Sequence, residues 1–365
     1  MINRMIGANL VRRPVRSLVS LLAVAIEVAL ILLIVGLTEG MVSDTQNRVR
    51  GVNADIVVRP SNGSMYMSMA GNTLPLKLAD RLLQEPGVKA VAPVAMQMNN
   101  KSLDSVGGLD LKAFTAVSGP FQFLDGGGFT GPMDVIVDDL YAAAKHVRVG
   151  QPLTLLGHQF HVTGIFEHGK GGRIYVPLVT LDDMVGAPGK AAVIYVKLNR
   201  PQDTDATVTA LQRLLPDYNI QPIQEYLALF TSANMPGLPV FQRTMVGIAV
   251  TIGFLVIFLS MYTTILERTR EIGILKALGA SRSFIARVIL RESSALALGG
   301  IVCGVLLAVG VQHGLRHVYP TLPIMLTWRW VVRATVIALI GSLVGALYPA
   351  AKAAAQDPIA ALAYE

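Results

Sequence analysis

The sequence has little charge, few aromatic residues and a single cysteine. Only 15% of its 365 residues are Asp, Glu, Lys or Arg, where an ordinary soluble domain carries about 25%. Aromatic residues make up 6%, so a large soluble core built on Phe, Trp and Tyr is excluded as the explanation for a hydrophobic share of 52%. One cysteine, Cys303, allows no intrachain disulfide and no zinc site built on thiolates. No Lys-Ser or Lys-Thr follows the glycines at Gly126 to Gly128, so this stretch is not a phosphate-binding loop. A cleavable leader is also not expected. Arg12, Arg13 and Arg16 do precede an apolar run, but the run is too long and lacks a small-residue cleavage site after it.

Apolar length is what the sequence does have. Its mean hydropathy is +0.52, and the apolar residues gather in four runs: Leu18 to Leu37, Met245 to Leu266, Ser294 to Val311 and Val331 to Tyr348. A helix needs about 20 residues to cross a hydrocarbon core. The first two runs reach that length, and the last two lie near its short end. The net charge of +7 does not indicate nucleic acid, because no recognition motif accompanies it. The cations sit beside the apolar runs instead: Arg4, Arg12, Arg13 and Arg16 before the first, and Arg268, Arg270, Lys276, Arg282, Arg287 and Arg291 between the second and third. The positive-inside bias places both segments in the cytoplasm. With four spans the two termini are then cytoplasmic, and Met41 to Gln242 lies outside. The expected organisation is a first tail and span over 1–40, an outer domain over 41–242, and three spans over 243–365.

The outer segment reads as α+β. Strand-type runs occur at Asp55–Arg59, Val88–Val94, Asp134–Val137, Leu153–Leu156, Phe160–Ile165, Arg173–Val176 and Val193–Leu198, bounded by Gly, Pro and Asp. Helical patterns occur at Leu76–Gln84 and Thr204–Leu215. Asp138 and Asp139 read as a solvated strand-to-helix turn. His158 and His161 stand three apart on or beside a strand and point to opposite faces, so they and His168 are not expected to share a metal.

The most informative segment is Glu267 to Arg291. Up to Leu278 it has helical periodicity, with Ile272, Leu275 and Leu278 on one stripe and Glu267 and Glu271 four apart on one face. Gly279, Ala280 and Ser281 form a break, and Ser281 is placed to cap a second, short amphipathic helix leading into the third span. The second span is thus expected to leave the membrane and turn, offering a charged helical surface to a soluble partner.

Glu267-Arg-Thr-Arg-Glu-Ile-Gly-Ile-Leu-Lys-Ala-Leu-Gly-Ala280 resembles the hallmark of ABC permeases of the MacB, lipoprotein-release and FtsX type. The C-terminal stretch from Tyr348-Pro-Ala-Ala-Lys to Ala-Tyr-Glu365 is similar to that family's ending. Val149-Gly-Gln-Pro-Leu-Thr-Leu-Leu-Gly-His-Gln-Phe-His-Val-Thr-Gly-Ile-Phe166, followed by Ile174-Tyr-Val-Pro-Leu178, resembles its periplasmic core domain. The resemblance implies an α-helical membrane protein of four transmembrane helices, with a large α+β extracytoplasmic domain between helices 1 and 2. It implies an inner-membrane location, a dimer with a second copy or a paralogue, and an ABC ATPase subunit that holds ATP and Mg, while this chain binds no cofactor directly. A periplasmic adaptor or carrier is a further implied partner. By position, Glu267, Arg270, Glu271, Gly273, Lys276, Gly279 and Arg282 form the ATPase-coupling segment.

Two further clues concern cargo. Glu27 interrupts the first span, where an ionisable residue is costly unless it faces protein, water or ligand. By analogy with permeases of this kind that export haem, it suits a place beside iron or a propionate. Met65, Met67 and Met69 alternate in Met65-Tyr-Met-Ser-Met69. Thioethers at that spacing suit a soft metal, an adaptable surface for an acylated cargo, or an apolar loop tip at the membrane boundary. Two function classes follow. One is an exporter or extractor of an amphiphile, such as a lipid, lipoprotein, haem or hydrophobic drug. The other is a mechanotransmitter that activates a cell-wall hydrolase or a sensor without transporting anything.

The charge asymmetry fixes a topology that is open to test. On a background lacking Cys303, single cysteines at Gly63 and Gly189 should react with a membrane-impermeant thiol reagent in intact cells. One at Ser281 should react only after permeabilisation.

Overall fold

The computed structural model describes residues 14–61, 73–99, 104–186, 189–235 and 237–357. They form two compact units. The first comprises residues up to Gly40, Pro236–His317 and Ile324 onward; the second comprises Met41–Met235 with Val318–Pro323.

The first unit is helical. Helix α1 (Pro14–Gly51) has 38 residues, about 57 Å of rise. It passes well beyond the apolar run that ends at Leu37, because the polar continuation is itself a good helix. Thr38 Oγ1 donates to the carbonyls of Ile34 and Val35, and Asp44 and Arg48 pair one turn apart. From Met41 the helix belongs to the second unit. The other long helices are α8 (Leu238–Glu267), α10 (Arg282–Val318) and α11 (Trp328–Ala355), with the short α9 (Thr269–Ala277) after α8. Four of these, α1, α8, α10 and α11, are long and apolar enough to cross a membrane.

Small residues mediate much of their packing. On α11 the buried positions are small, namely Ala334, Ala338, Ser342, Gly345, Ala346 and Ala350, while Val336, Ile340, Val344 and Leu347 face outward. On α8, Ala249, Gly253 and Ser260 are buried beside Ile257, Met261 and Ile265, and Ile248, Ile252, Leu255 and Leu259 are exposed. Small residues inside let backbones approach, and large apolar ones outside suit lipid. Helices α1 and α10 approach each other closely. A Cβ added at Gly300 would stand 2.6 Å from Val24 Cβ, and one at Gly304 would stand 2.7 Å from the Ala25 carbonyl oxygen. Polar groups join the helices too: Gln242 Nε2 donates to Thr38 Oγ1, Ser20 bonds Ser260, and Ser293 Oγ donates to the Ser342 carbonyl.

The second unit carries one ten-stranded sheet. Its elements in chain order are β1 (Ile56–Pro60), β2 (Leu74–Pro75), α2 (Lys77–Leu83), β3 (Val88–Met98), β4 (Ser105–Leu109), α3 (Leu111–Ser118), β5 (Phe123–Gly126), β6 (Asp134–Asp138), α4 (Asp139–Lys145), β7 (Pro152–Leu155), β8 (His158–Phe166), β9 (Ile174–Pro177), α5 (Leu178–Val185), β10 (Lys190–Ala191), β11 (Val193–Leu198), α6 (Thr204–Leu214), β12 (Tyr218–Pro222) and α7 (Ile223–Leu229). The sheet order is β12-β1-β11-β3-β4-β9-β6-β8-β5, with β7 also pairing β8. β2 and β10 form a separate two-stranded ribbon.

The first four strands in that order are antiparallel. Together with α2 and α6 they make a β-α-β-β-α-β frame of ferredoxin-like topology: β1-α2-β3, then β11-α6-β12. Everything from β4 to β10 is inserted between its second and third strands. Both faces of the frame are buried, as the run Ile56-Val-Val58 requires. Ile56 and Val58 meet Leu78 and Leu82 of α2 and Val208 and Leu211 of α6, while Val57 faces Val49, Phe114 and Tyr175. The insertion has its own core around Val106, Val135, Phe160, Val162 and Leu181.

Glycine at 304 is the packing condition of the helical unit. Gly304→Leu should lower the melting temperature of the full chain in detergent by several degrees, since overpacking a tight contact costs about 1–3 kcal/mol. Gly314→Leu, on the same helix with open space around it, should leave the melting temperature unchanged.

Candidate functional site

The helical turn between α8 and α10 is where the sequence singles out a site. Helix α8 ends at Glu267, and Arg268 takes a non-helical conformation (φ −109°, ψ 15°) before α9 begins. Glu267 and Glu271 therefore stand on two helices and not on one continuous face. Helix α9 stops at Ala277. Leu278 to Ser281 form the turn, with Gly279 at φ +92°, a value that favours glycine. Ser281 Oγ accepts from the Phe284 amide at 3.2 Å, as its capping position required. The helix it starts is not a short separate one. α10 runs unbroken from Arg282 through the third span, because no Gly or Pro interrupts Arg282–Ser294.

Burial divides the expected coupling residues into two groups. Glu267, Arg270, Glu271 and Arg282 are exposed, whereas Gly273 is buried and Lys276 is half-buried. The Lys276 ammonium donates to the Ala354 carbonyl at 3.0 Å and to the Gln356 carbonyl, so it fastens α9 to the end of α11. Lysine near the last carbonyls of a helix complements its dipole. Gln356 in turn donates to Thr269 Oγ1 at 3.3 Å. Of the proposed stripe, Ile272 is buried, but Leu278 is 81% exposed because the helix has ended before it.

Two residues outside the sequence-derived set hold the turn together. Arg268 pairs with Glu292 of α10 at 3.4 Å, with both side chains largely buried, and it reaches Glu271 at 3.5 Å. The signal for this pair was a glutamate at the margin of an apolar run, the same kind of signal that marks Glu27. Between α8, α9 and α10 lies a cavity of about 90 Å³ lined by Arg268, Glu271, Ile272, Leu275, Phe284 and Glu292. A wider groove of about 900 Å³ runs along Val15, Val19, Val256 and Leu259, with Glu267 on its lining.

Glu27 is 4% exposed and packs against Gly253 of α8, where a Cβ would collide with its carboxylate. Its Oε1 has no hydrogen-bond partner among the described residues. Met65, Met67 and Met69 lie outside the described residues.

In the second unit, Asp138 corrects the solvated-turn reading. It is fully buried. It caps α4 through the Tyr141 amide at 2.7 Å and pairs with Arg173 at 3.0 Å. Burial pushes its carboxyl up to about 6, against the pull of the Arg173 guanidinium and the Tyr141 amide. Arg173 also meets Asp44, which meets Arg48, each at 3.0 Å. Asp139 pairs with His168 at 2.9 Å. Among the described residues, no group of three or more His, Cys, Asp or Glu is placed to hold a metal.

Comparison with known proteins gives the architecture its class. Residues 17–214 match the MacB-like periplasmic core domain, and residues 243–358 match the FtsX-like permease C-terminal domain. The chain belongs to the ABC transporter permeases of the MacB and FtsX type. Four apolar helices and a permease family together mark a multi-pass inner-membrane protein. Similar relatives include the macrolide export ATP-binding/permease protein MacB of Shewanella sp. (strain W3-18-1). It is 26% identical over 386 residues, covering 96% of this chain and 58% of that protein. The uncharacterized ABC transporter permease YknZ of Bacillus subtilis (strain 168) is 27% identical over 231 residues, covering 59% and 55%. The chain thus spans a little over half the length of these curated relatives. A crystal structure of the periplasmic region of MacB from Actinobacillus actinomycetemcomitans aligns with 49% of this chain and 93% of that one, at 18% identity and a TM-score of 0.39.

The Arg268–Glu292 pair fixes the geometry of the turn. Glu292→Gln should destabilise the full chain by about 3 kcal/mol, since breaking a buried pair strands one charge. The double variant Arg268→Met/Glu292→Met should recover most of that loss. Chemical denaturation in detergent reads both.

Proposed function

We propose that this chain is the membrane subunit of an ATP-driven exporter that moves or extracts an amphiphilic substrate, and that it is driven mechanically by an ATPase carried on a partner chain. The observation that carries the reading is the division of labour at the α8–α10 turn. Arg268 and Lys276 brace the turn against α10 and α11, and Gly273 is buried beneath it. Glu267, Arg270, Glu271 and Arg282 are exposed on its outer side, where a partner would dock. Charges of both signs on a rigid, exposed turn give docking its orientation and rate more than its affinity. ATP and Mg belong to the partner in this reading, since the glycine-rich stretch of this chain lacks the lysine and hydroxyl that hold phosphate and metal.

A second copy or a paralogue completes the permease, and the termini lie in the cytoplasm with the ATPase. Glu27 serves the cargo: a carboxylate buried against a glycine, with an oxygen unpartnered among the described residues, suits a polar or metal-bearing group on an otherwise apolar molecule. Haem, lipid, lipoprotein and hydrophobic drug all have that character. A periplasmic carrier would receive the cargo.

One set of ATPase assays in nanodiscs tests the assignment. This chain alone should not hydrolyse ATP, and the complex with its cognate ATPase should. The charge reversal Arg270→Glu/Glu271→Arg should abolish coupled hydrolysis while leaving the melting temperature of the permease unchanged; retained coupling would remove the docking site from the turn. Glu27→Gln should keep basal hydrolysis and lose stimulation by cargo. Full stimulation of that variant by cargo would remove Glu27 from the cargo site, and a wild-type complex that drives its outer partner with no cargo of any kind would make the protein a mechanotransmitter.

A further inference from the structure

Arg59 is a charged residue that the fold buries without an anion. It stands on β1, is 5% exposed, and its Nε has no hydrogen-bond partner among the described residues. No carboxylate among the described residues pairs with it. Its guanidinium carbon stands 4.6 Å from the centre of the Tyr226 ring on α7. A cation–π contact returns only a fraction of what it costs to bury an ion. The other arginines nearby are already engaged: Arg48 with Asp44, and Arg173 with Asp44 and Asp138. Asp104 accepts from Tyr141 at 3.4 Å.

All of these groups except Asp44 and Asp138 line one cavity within the outer domain. Its volume is about 280 Å³, a little under the usual range for drug-sized ligands. Its remaining wall has an apolar patch of Val94, Met96, Val193 and Phe230, beside the hydroxyl-bearing Thr45, Ser105, Tyr175 and Tyr195. The cavity therefore joins a buried guanidinium that lacks a counter-charge to an apolar surface of modest extent.

We propose that this cavity binds a small organic anion, with one phosphate or carboxylate group held by Arg59 and a short apolar portion against the valine and methionine wall. Arg59 supplies a planar fork of donors for two anionic oxygens, and Tyr226 holds its plane. The site lies within the second unit, whereas Glu27 and the α8–α10 turn belong to the first, and it does not depend on whether the protein transports anything.

The test uses the full chain in phosphatidylcholine nanodiscs and isothermal titration against empty nanodiscs. Butyl phosphate should bind saturably at one site per chain, and butanol should not. Arg59→Met should weaken binding at least tenfold without lowering the melting temperature, because it removes a buried charge that no carboxylate among the described residues pairs with; Arg59→Lys should retain part of the affinity. Inorganic phosphate that displaces butyl phosphate equally well would identify a free oxyanion as the ligand. Failure of phosphate to displace it would identify the head group of an amphiphile. Butanol binding as tightly as butyl phosphate, unchanged affinity in Arg59→Met, or absence of saturable binding by both anions would overturn the proposal.

Discussion

Backbone-to-backbone approach between α1 and α10 is the contact on which the helical unit depends. Lipid gives helices no hydrophobic reason to associate, so the bundle must gain from dispersion and a few internal hydrogen bonds. Gly300 and Gly304 let α10 lie directly on the carbonyls of Leu21 and Ala25. That proximity sets the rest: Val24, Val28 and Ile301 fill one shared core, and the serines of neighbouring helices come within bonding range. The large side chains left on the outside are then available to lipid, while Ile31, Leu32, Ile257, Met261 and Leu296 fill the interior around the small residues.

The same logic accounts for the turn. An arginine and a glutamate placed at the ends of apolar helices would each be a liability alone. Paired as Arg268 and Glu292, they fix where α8 stops and how α9 returns to α10. The break in the helical ladder at Arg268 separates a chain that must sit in lipid from one that presents charge. Lys276 then ties α9 to the last carbonyls of α11, so the turn is held from two sides.

The spans were legible in the sequence because hydropathy is a strong signal over about 20 residues, and so was the capped turn at Ser281, whose chemistry is local. Helix α1 beyond Leu37 was not legible from hydropathy, since its polar turns carry no apolar contrast. In the second unit the buried strands at Asp134–Val137 and Val193–Leu198 were readable from their β-branched residues. β5 and β12 were not: Phe123-Leu-Asp-Gly126 lies on the sheet's edge and is mostly exposed, and Tyr218-Asn-Ile-Gln-Pro222 mixes polar residues into an edge position. Burial of Asp138 could not be read either, because its partner Arg173 is thirty-five positions away. Arg59 and Tyr226 meet across still greater separation, through the pairing of β1 with β12 and the helix that follows.

The interrupted ferredoxin-like frame carries a consequence for how the protein is made. β3 and β11 are neighbours in the sheet, yet the whole inserted segment is synthesised between them. On a chain that emerges from its N-terminus, β1, α2 and β3 must wait as an incomplete half with an open edge until β11 and β12 arrive. Pairings of such long range are slow to form, and unpaired edges invite aggregation. The inserted segment, with its own core, is able to fold during that interval and cover the far edge of β3 through β4. Folding would then proceed from the inside of the sequence outward, and the order of synthesis would differ from the order of assembly.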